Sequence, residues 1–215
     1  METAMSDLGA DNGRSGQPPF VFVGEALPLD LVNTEQILRG KPIDLLVVPN
    51  DVAVWWHAAA DHFPGTLQTD GLRFDDALLA ETKAFRAALR VIFEAVADGV
   101  PPHADALVRL NRVLRVGCMM AEPDESGRVR SVLRSYDRGP LGVLVPIAHA
   151  ALSLLTERDP VRLHRCGNAR CVLLFNDTTK SATRRWCSLG CMNRARSVRR
   201  YRERREARAP TTSAT

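Results

Sequence analysis

The sequence predicts a mainly α-helical α+β protein. We expect a helical N-terminal domain with a small β-hairpin component, then a cysteine-rich module that leads into a basic C-terminal helix. Three observations predict this class. Apolar residues recur at helical spacing through the middle of the chain, the composition changes near residue 160, and four of the five cysteines lie within residues 166–191. The 215 residues are enough for one large domain or two smaller ones.

The clearest single element is a helix predicted over residues 75–98. Asp75 and Asp76 suit its first turn, and Gly99 suits its end. Its apolar side chains recur at steps of three and four, which places them on one face: Leu78, Thr82, Phe85, Leu89, Ile92 and Val96.

Shorter patterns predict the other elements. In chain order these are a strand at 20–23, a helix entered at 27–35, a helix at 50–60 capped by Asn50, a helix at 103–116, a β-hairpin within 117–136, a helix at 141–157 and a strand at 172–175. One of Trp55 and Trp56 should be buried. Pro146 should kink the 141–157 helix or delay its start. The apolar face of that helix is predicted to carry Leu141, Val145, Ala148, Leu152 and Leu155.

Composition divides the chain into four segments. Residues 1–18 are small, polar and glycine-rich, and we expect a disordered tail there. An α-rich domain is predicted over 19–158, and the cysteine-rich module over 160–208. A second disordered tail is expected at 209–215.

Charge is distributed unevenly along the sequence. Residues 160–208 carry 14 basic and 3 acidic side chains, whereas the rest of the chain carries 15 basic and 22 acidic ones. An acidic body joined to a basic end is typical of proteins that bind polyanions.

The sequence has no apolar run long enough to span a membrane and no signal peptide at its start. We therefore expect a cytoplasmic protein without a membrane partner, whose cysteines stay reduced and available for metal binding. Cys118, which lies apart from the other four, is expected to be a small core residue.

The four clustered cysteines predict a metal centre. Cys166 and Cys171 are separated by four residues, Cys187 and Cys191 by three, and fifteen residues lie between the pairs. This spacing is typical of a structural zinc site with four thiolate ligands, which leaves no open position for catalysis. Ser188 is predicted to cap a helix that begins just after Cys187. We expect one structural Zn²⁺ in a treble-clef-like arrangement of knuckle, hairpin and helix.

The same segment resembles the CGNR zinc-finger family of bacterial proteins. The family pairs a Cys-x4-Cys knuckle with Phe-x-Asp and a later Arg-Arg-Trp-Cys-Ser…Cys-Gly-Asn-Arg. The corresponding residues here are Cys166…Cys171, Phe175-Asn-Asp177 and Arg184-Arg-Trp-Cys-Ser-Leu-Gly-Cys-Met-Asn-Arg194. This sequence departs from the motif at Met192, which replaces the glycine, and in the three-residue spacing of its second cysteine pair.

The upstream region resembles the ABATE domain that precedes this finger in the family. Leu29-Asp-Leu-Val-Asn-Thr34 and the apolar helix before the finger carry that similarity. The resemblance implies an α-rich domain followed by a zinc module, and a role in transcription connected with stress responses.

The arginine-rich end predicts binding to double-stranded DNA. We expect the helix after Ser188 to direct arginines toward phosphates and guanine edges, with Ala195, Val198 and Tyr201 packed on the finger. RNA stays an alternative. Asn193 is predicted either to contact DNA or to cap backbone within the finger. The predicted nucleic-acid contacts are Arg184, Arg185, Asn193, Arg194, Arg196, Arg199, Arg200 and Arg202.

The N-terminal domain is predicted to sense a small-molecule effector or to form a homodimer. Asp30, Asn33, Thr34 and Arg86 either line a ligand pocket or cap and pin helices. The sequence has no glycine-rich phosphate loop and no Gly-x-Ser-x-Gly elbow, so we expect a protein that is not an enzyme. Two alternatives to DNA binding stay open, namely a finger that docks protein and a thiol-based redox sensor.

Overall fold

The computed structural model describes residues 20–157 and 159–206. These residues form a mainly helical α+β fold, as predicted from the sequence. The predicted tails at 1–18 and 209–215 lie outside the described residues. The elements in chain order are α1 (Leu27–Val32), β1 (Glu35–Leu38), β2 (Lys41–Asp44), α2 (Pro49–His62), α3 (Asp76–Ala97), α4 (Ala104–Leu114), β3 (Gly117–Pro123), β4 (Val129–Ser135), α5 (Pro140–Thr156), a 3-10 turn (Pro160–Arg162), β5 (Leu163–Arg165), β6 (Leu174–Asn176) and α6 (Leu189–Glu206).

Helix α3 confirms the strongest sequence prediction. The Asp75 carboxylate accepts a hydrogen bond from Leu78 N (3.0 Å), which satisfies a backbone donor in the first turn. The predicted stripe faces the core, with Leu78, Phe85, Leu89 and Ile92 almost fully buried. Helix α3 contacts α1, α4 and α5, so its buried stripe organises the N-terminal domain.

Helix α5 is also confirmed, although its buried face differs from the predicted one. Leu152 is 38% exposed, whereas Leu144, Ile147 and Leu154 are buried. The predicted face was too narrow because α1, α3 and α4 all pack against this helix. The helix starts at Pro140 and contains Pro146, so a delayed start is wrong.

The hairpin predicted within 117–136 is present as the antiparallel pair β3 and β4. Asp124 shapes its turn, because its carboxylate accepts hydrogen bonds from Ser126 N (2.8 Å) and Arg128 N (2.9 Å). Cys118 is half-buried on β3, with its sulfur 3.1 Å from the Tyr136 hydroxyl. The expectation of a core cysteine is therefore wrong, since a two-stranded hairpin buries its side chains incompletely.

Three local predictions differ from the structure. Residues 20–23 form no strand, and the hairpin of β1 and β2 was not predicted. Helix α2 begins with Pro49 instead of after Asn50; the Asp51 carboxylate accepts from Val47 N (2.7 Å) and Val48 N (2.9 Å) at its start. Both Trp55 and Trp56 are buried, because the loop after α2 covers the second indole, which donates to Gln68 O (2.8 Å).

The C-terminal module shares the core of the N-terminal domain. Leu163 on β5 and Leu174 on β6 belong to the same buried apolar cluster as the N-terminal helices. The Asn33 side chain closes the junction, because its amide donates to Leu174 O (2.9 Å) and accepts from Leu174 N (2.9 Å). Arg165 forms a two-bond ion pair with Asp98 at the end of α3 (2.8 and 2.9 Å). The module is thus docked on the domain through apolar, polar and ionic contacts.

We expect Asn33→Ala to lower the free energy of unfolding by about 2–4 kcal/mol, because it leaves the N–H and C=O of Leu174 buried without partners. Urea unfolding of the zinc-loaded protein measures this loss. The exposed Asn111 on α4 gives the matched control, since Asn111→Ala removes no buried contact. Equal stability of the two variants would contradict the role given to Asn33.

Candidate metal centre and basic helix

The first cysteine pair lies in a tight knuckle between β5 and β6. Asn168 shapes it: its carbonyl accepts from Cys171 N (2.8 Å), and its side-chain oxygen accepts from Arg170 N (3.1 Å). Gly167 N donates to Arg185 O (2.7 Å), which ties the knuckle to the segment before the second pair. A Cβ at Gly167 would lie 2.9 Å from Arg185 O, so this close approach requires glycine.

The second cysteine pair lies at the start of α6. The Ser188 hydroxyl accepts from Cys191 N (3.2 Å), which confirms the predicted cap and places Cys191 in the first helical turn. Met192 follows in regular helix and is half-buried. A helical backbone accommodates a side chain there, so the motif glycine is not required at this position.

The four sulfur atoms lie within 4.8 Å of one another, and those of Cys171 and Cys187 are 3.8 Å apart. Tetrahedral zinc with Zn–S bonds of about 2.3 Å places its ligands about 3.8 Å apart. Cys166, Cys187 and Cys191 are buried, and Cys171 is half-buried. The donor set, spacing and burial fit one structural Zn²⁺, and the four predicted ligands come together.

The pKa values of the clustered thiols also indicate that the site suits a cation. Hydrogen bonds from Cys171 and Cys187 lower the pKa of the Cys166 thiol to about 2. The hydrogen bond with Cys166 raises the pKa of Cys171 to about 12, and contact with Cys166 and Cys171 raises the pKa of Cys187 as well. Four thiolates this close repel one another, so a divalent cation is needed to hold all of them ionised.

Hydrogen-bond donors surround the sulfurs. Cys187 N donates to the Cys166 sulfur (3.5 Å), and the Arg194 guanidinium donates to the Cys191 sulfur (3.5 Å). Such donors stabilise thiolate charge and fix the direction of the ligands. Arg194 is therefore engaged at the metal centre, although its side chain is still exposed.

Arg184 is a structural cross-link of the finger. Its Nε donates to Trp186 O (3.0 Å), one terminal nitrogen pairs with Glu25 (2.8 Å), and the other donates to Cys187 O. The guanidinium also lies 4.6 Å from the centre of the Phe175 ring. These contacts occupy all three nitrogens of the guanidinium group, so Arg184 is held within the protein.

The Asp177 carboxylate has a role that the sequence did not predict. It is fully buried and accepts from Thr179 N (2.9 Å) and Arg184 N (2.8 Å). Burial opposes ionisation, but hydrogen bonds from Thr179 and Arg184 lower the pKa of Asp177 to about 2. Asp177 thus holds the loop between the two cysteine pairs. Its place in the Phe-x-Asp motif was the available signal.

Helix α6 presents a continuous basic face. Steps of four residues place Arg196, Arg200 and Arg204 on one side of a helix, with Asn193 beside them. This side is roughly opposite Cys191. The three arginines follow Cys191 by five, nine and thirteen residues, and each of these separations ends about half a turn away from Cys191 around the helix. All four side chains are exposed. The exposed residues that were predicted as nucleic-acid contacts are Arg185, Asn193, Arg194, Arg196, Arg199, Arg200 and Arg202.

Two packing predictions for α6 are wrong. Val198 is 40% exposed and Tyr201 is 63% exposed, so neither packs on the finger. The helix extends beyond the metal centre after Cys191, and of these three residues Ala195 alone is half-buried. Arg199 forms an exposed ion pair with Glu203 (3.5 Å).

The four residues predicted either to line a pocket or to pin helices are all buried. Asp30 accepts from Gly24 N (2.7 Å), and burial raises its pKa to about 7. Thr34 donates to Leu31 O (2.7 Å) and accepts from Arg86 (2.8 Å). These contacts, with those of Asn33, favour pinning over ligand binding.

Arg86 and Arg90 form a charge network between α3 and the first hairpin. Arg86 makes two hydrogen bonds with Asp44 (2.7 and 2.8 Å) and a salt bridge with Glu35 (3.1 Å). Arg90 binds Glu35 (2.8 Å) and donates to Val172 O in the C-terminal module (3.2 Å). Arg90 was not predicted as a site residue, although its position one helical turn after Arg86 was an available signal.

None of the described helices is long and apolar enough to cross a membrane. A comparison with curated proteins found no match. Among known families, residues 162–205 match the CGNR zinc finger. Residues 25–158 match ABATE, whose description is "Putative stress-induced transcription regulator". The ABATE match covers more than half of the chain, and the four clustered cysteines lie within the residues that match the CGNR zinc finger. The chain therefore belongs to the ABATE family and carries a CGNR zinc finger at its C-terminal end.

Proposed function

We propose that this protein is a zinc-dependent transcription regulator that binds double-stranded DNA through α6. The observation that carries the proposal is the exposed face of Asn193, Arg196, Arg200 and Arg204 on a helix whose opposite side holds a zinc ligand. A helix of 18 residues is about 27 Å long, and the major groove of DNA admits a helix. A chromosomal target would place this activity in the cytoplasm.

The metal centre gives α6 a defined start. Zinc bound by Cys187 and Cys191 fixes the first turn, and Ser188 caps it. Arg185 is exposed just before the second pair, with its guanidinium 5.4 Å from the centre of the Trp186 ring. That position suits a phosphate contact at the edge of the interface. The first turn of α6 also has no acidic residue that would repel a phosphate.

Binding should depend strongly on salt. If about five phosphates are neutralised, the slope of log K against log salt concentration is expected near about −4 to −5. The triple variant Arg196→Gln, Arg200→Gln and Arg204→Gln should reduce the magnitude of that slope by about 2 to 3. Fluorescence anisotropy of the zinc-loaded full-length protein with duplex DNA measures both values.

A matched control removes the same charge elsewhere. Arg112, Arg115 and Arg128 are exposed and lie in the N-terminal domain. Their replacement by glutamine should leave the slope unchanged. Equal effects of the two triple variants would mean that overall charge, not α6, governs binding. A slope near zero for the unmodified protein would overturn the proposal.

Protein docking is the second candidate function. The observation that favours it is the exposure of Val198 and Tyr201 on α6, since apolar side chains there would suit a protein partner. Salt-insensitive association that Tyr201→Ser abolishes, without DNA binding, would identify this alternative. The homodimer and the effector remain predictions, and the redox sensor remains an alternative. Each is compatible with DNA binding.

A further inference from the structure

A cavity of about 690 Å³ lies in the N-terminal domain, away from the metal centre. Its walls come from the loop at 65–68, from strand β4 and from the start of α5. This volume lies in the range of cavities that bind small molecules. None of the residues considered for a ligand pocket from the sequence lines it.

The charge of the lining is positive. Arg130, Arg134 and Arg138 line the cavity together with one carboxylate, Asp137. Glu122 makes both of its hydrogen bonds with Arg134 (2.6 and 2.7 Å). Within the described part of the chain, no hydrogen bond or salt bridge engages the guanidinium group of Arg130 or Arg138. Arg130 lies across from Glu122 in the β3–β4 pair and is attracted by its charge, but both oxygens of Glu122 are bound by Arg134, so both guanidinium groups can still donate hydrogen bonds to an anion.

Part of the lining is apolar. Trp56, Leu67 and Leu72 come from α2 and the segment that follows it, and Val143 comes from α5. The Trp56 indole donates to Gln68 O, so the loop and the ring hold each other in place. These side chains give the cavity an apolar part that suits an apolar group of a ligand.

The start of α5 contributes a third wall without an acidic side chain in its first turn. Asp137 accepts from Gly139 N (2.5 Å) and is thereby turned toward the backbone. A Cβ at Gly142 would lie 1.8 Å from Asp137 O, so glycine is required for this segment to pack against the helix. This segment therefore adds no negative charge beyond that of Asp137.

We propose that this cavity binds a small organic anion with an apolar body, whose carboxylate or phosphate group is held by Arg130 and Arg138. This inference deepens the proposed function, because such an anion would be the effector of the regulator. Only that regulatory role rests on the proposed function. Binding itself requires neither DNA nor α6.

Isothermal titration calorimetry of the zinc-loaded full-length protein tests the site with three probes of similar shape. We expect 1-naphthyl phosphate or 1-naphthoate to bind at least about tenfold more tightly than the neutral 1-naphthol, because only the anions form charge-assisted hydrogen bonds. The stronger of the two anions identifies the preferred head group. No saturable binding of either anion, or equal binding of 1-naphthol, would overturn the proposal.

Two variants locate the binding. Arg130→Gln with Arg138→Gln should lower the affinity for the preferred anion at least about tenfold. Arg115→Gln with Arg128→Gln removes the same charge outside the cavity and should change that affinity by less than about twofold. Ser131→Phe, which fills part of the cavity from β4, should also weaken binding. Equal affinities for the two double variants would overturn the site.

The same variants separate this inference from the proposed function. Arg130→Gln with Arg138→Gln should retain the salt-dependent DNA binding of the unmodified protein. Anion binding without DNA binding would refute the regulator and leave the site intact. DNA binding without anion binding would refute the site alone.

Discussion

Replacing Cys187 with serine is expected to abolish stoichiometric zinc binding and to unfold the C-terminal module. Cys187 is 1% exposed and is one of the four cysteines whose sulfur atoms lie together in the cluster. Its loss leaves three thiolates and an unsatisfied hydroxyl in a site that requires four thiolates. Structural zinc sites in small modules bind with about 10–16 kcal/mol, so losing one ligand removes a large part of the folding free energy.

The effect should extend beyond the finger. Because Leu163 and Leu174 are part of the N-terminal core, disorder in β5 and β6 would expose α1 and α3 to water. We therefore expect lower thermal stability of the whole chain, together with a zinc content near zero. Metal analysis and calorimetric unfolding measure the two quantities. Prolonged chelation of the unmodified protein should give the same result.

Cys118→Ser is the matched control, since Cys118 lies on β3 outside the cluster. It should keep one zinc per chain and unfold within a few degrees of the unmodified protein. If Cys187→Ser also kept its zinc, the four-thiolate assignment would be wrong. If it lost zinc while the N-terminal domain unfolded as before, the shared core would be unimportant for stability.

Arg86→Met is expected to lower the free energy of unfolding by about 3–5 kcal/mol, because it removes two charge-assisted hydrogen bonds to Asp44 and an ion pair with Glu35 from a buried guanidinium. The Arg86 side chain is 2% exposed and binds Asp44, Glu35 and Thr34. Methionine fills similar space without charge, so the loss would come mainly from the bonds that Arg86 makes, because Asp44 keeps Lys83 and Glu35 keeps Arg90 as partners. Urea unfolding at neutral pH measures it.

The pH dependence gives an independent measurement. Burial alone would raise the pKa of Asp44, but hydrogen bonds from Arg86 and Lys83 lower it to about 2. A carboxyl group whose pKa is lower in the folded state stabilises that state above the unfolded pKa of about 4. This contribution is lost as the pH falls from about 4 through about 2.

Arg86→Met should remove much of that acid dependence, while Lys83→Met at the partly exposed partner should remove less. The comparison separates the buried bond from its exposed neighbour. Identical acid unfolding of the Arg86 variant and the unmodified protein would mean that another carboxyl group governs the transition.

Local patterns predicted the elements whose residues interact with near neighbours in sequence. Helix α3 was predicted because its apolar stripe has helical period, and the metal centre because thiolate ligands require a restricted spacing. The β1 and β2 hairpin was missed because each strand has only four residues and β2 contains Pro42, so no alternation of apolar and polar residues was visible.

The roles of individual polar residues were harder to predict. Arg184 and Arg185 are adjacent and chemically identical, yet Arg184 is held by three protein contacts and Arg185 is exposed. The difference arises from Glu25 and from backbone carbonyls that only the folded chain brings close. Asn33 and Leu174 are 141 positions apart, so no local pattern connects them. The cavity beside β4 likewise depends on segments distant in sequence.

The junction between the finger and the N-terminal domain limits how such proteins exchange parts during evolution. Asn33 binds only backbone atoms of Leu174, so this contact would accept a finger of different sequence, provided that a strand runs there. The contacts of the Leu163 and Leu174 side chains do depend on sequence, because these side chains fill space left by the N-terminal helices. A recombined gene that joins one member's finger to another member's domain must therefore match these two leucines before the joined chain can fold around one core.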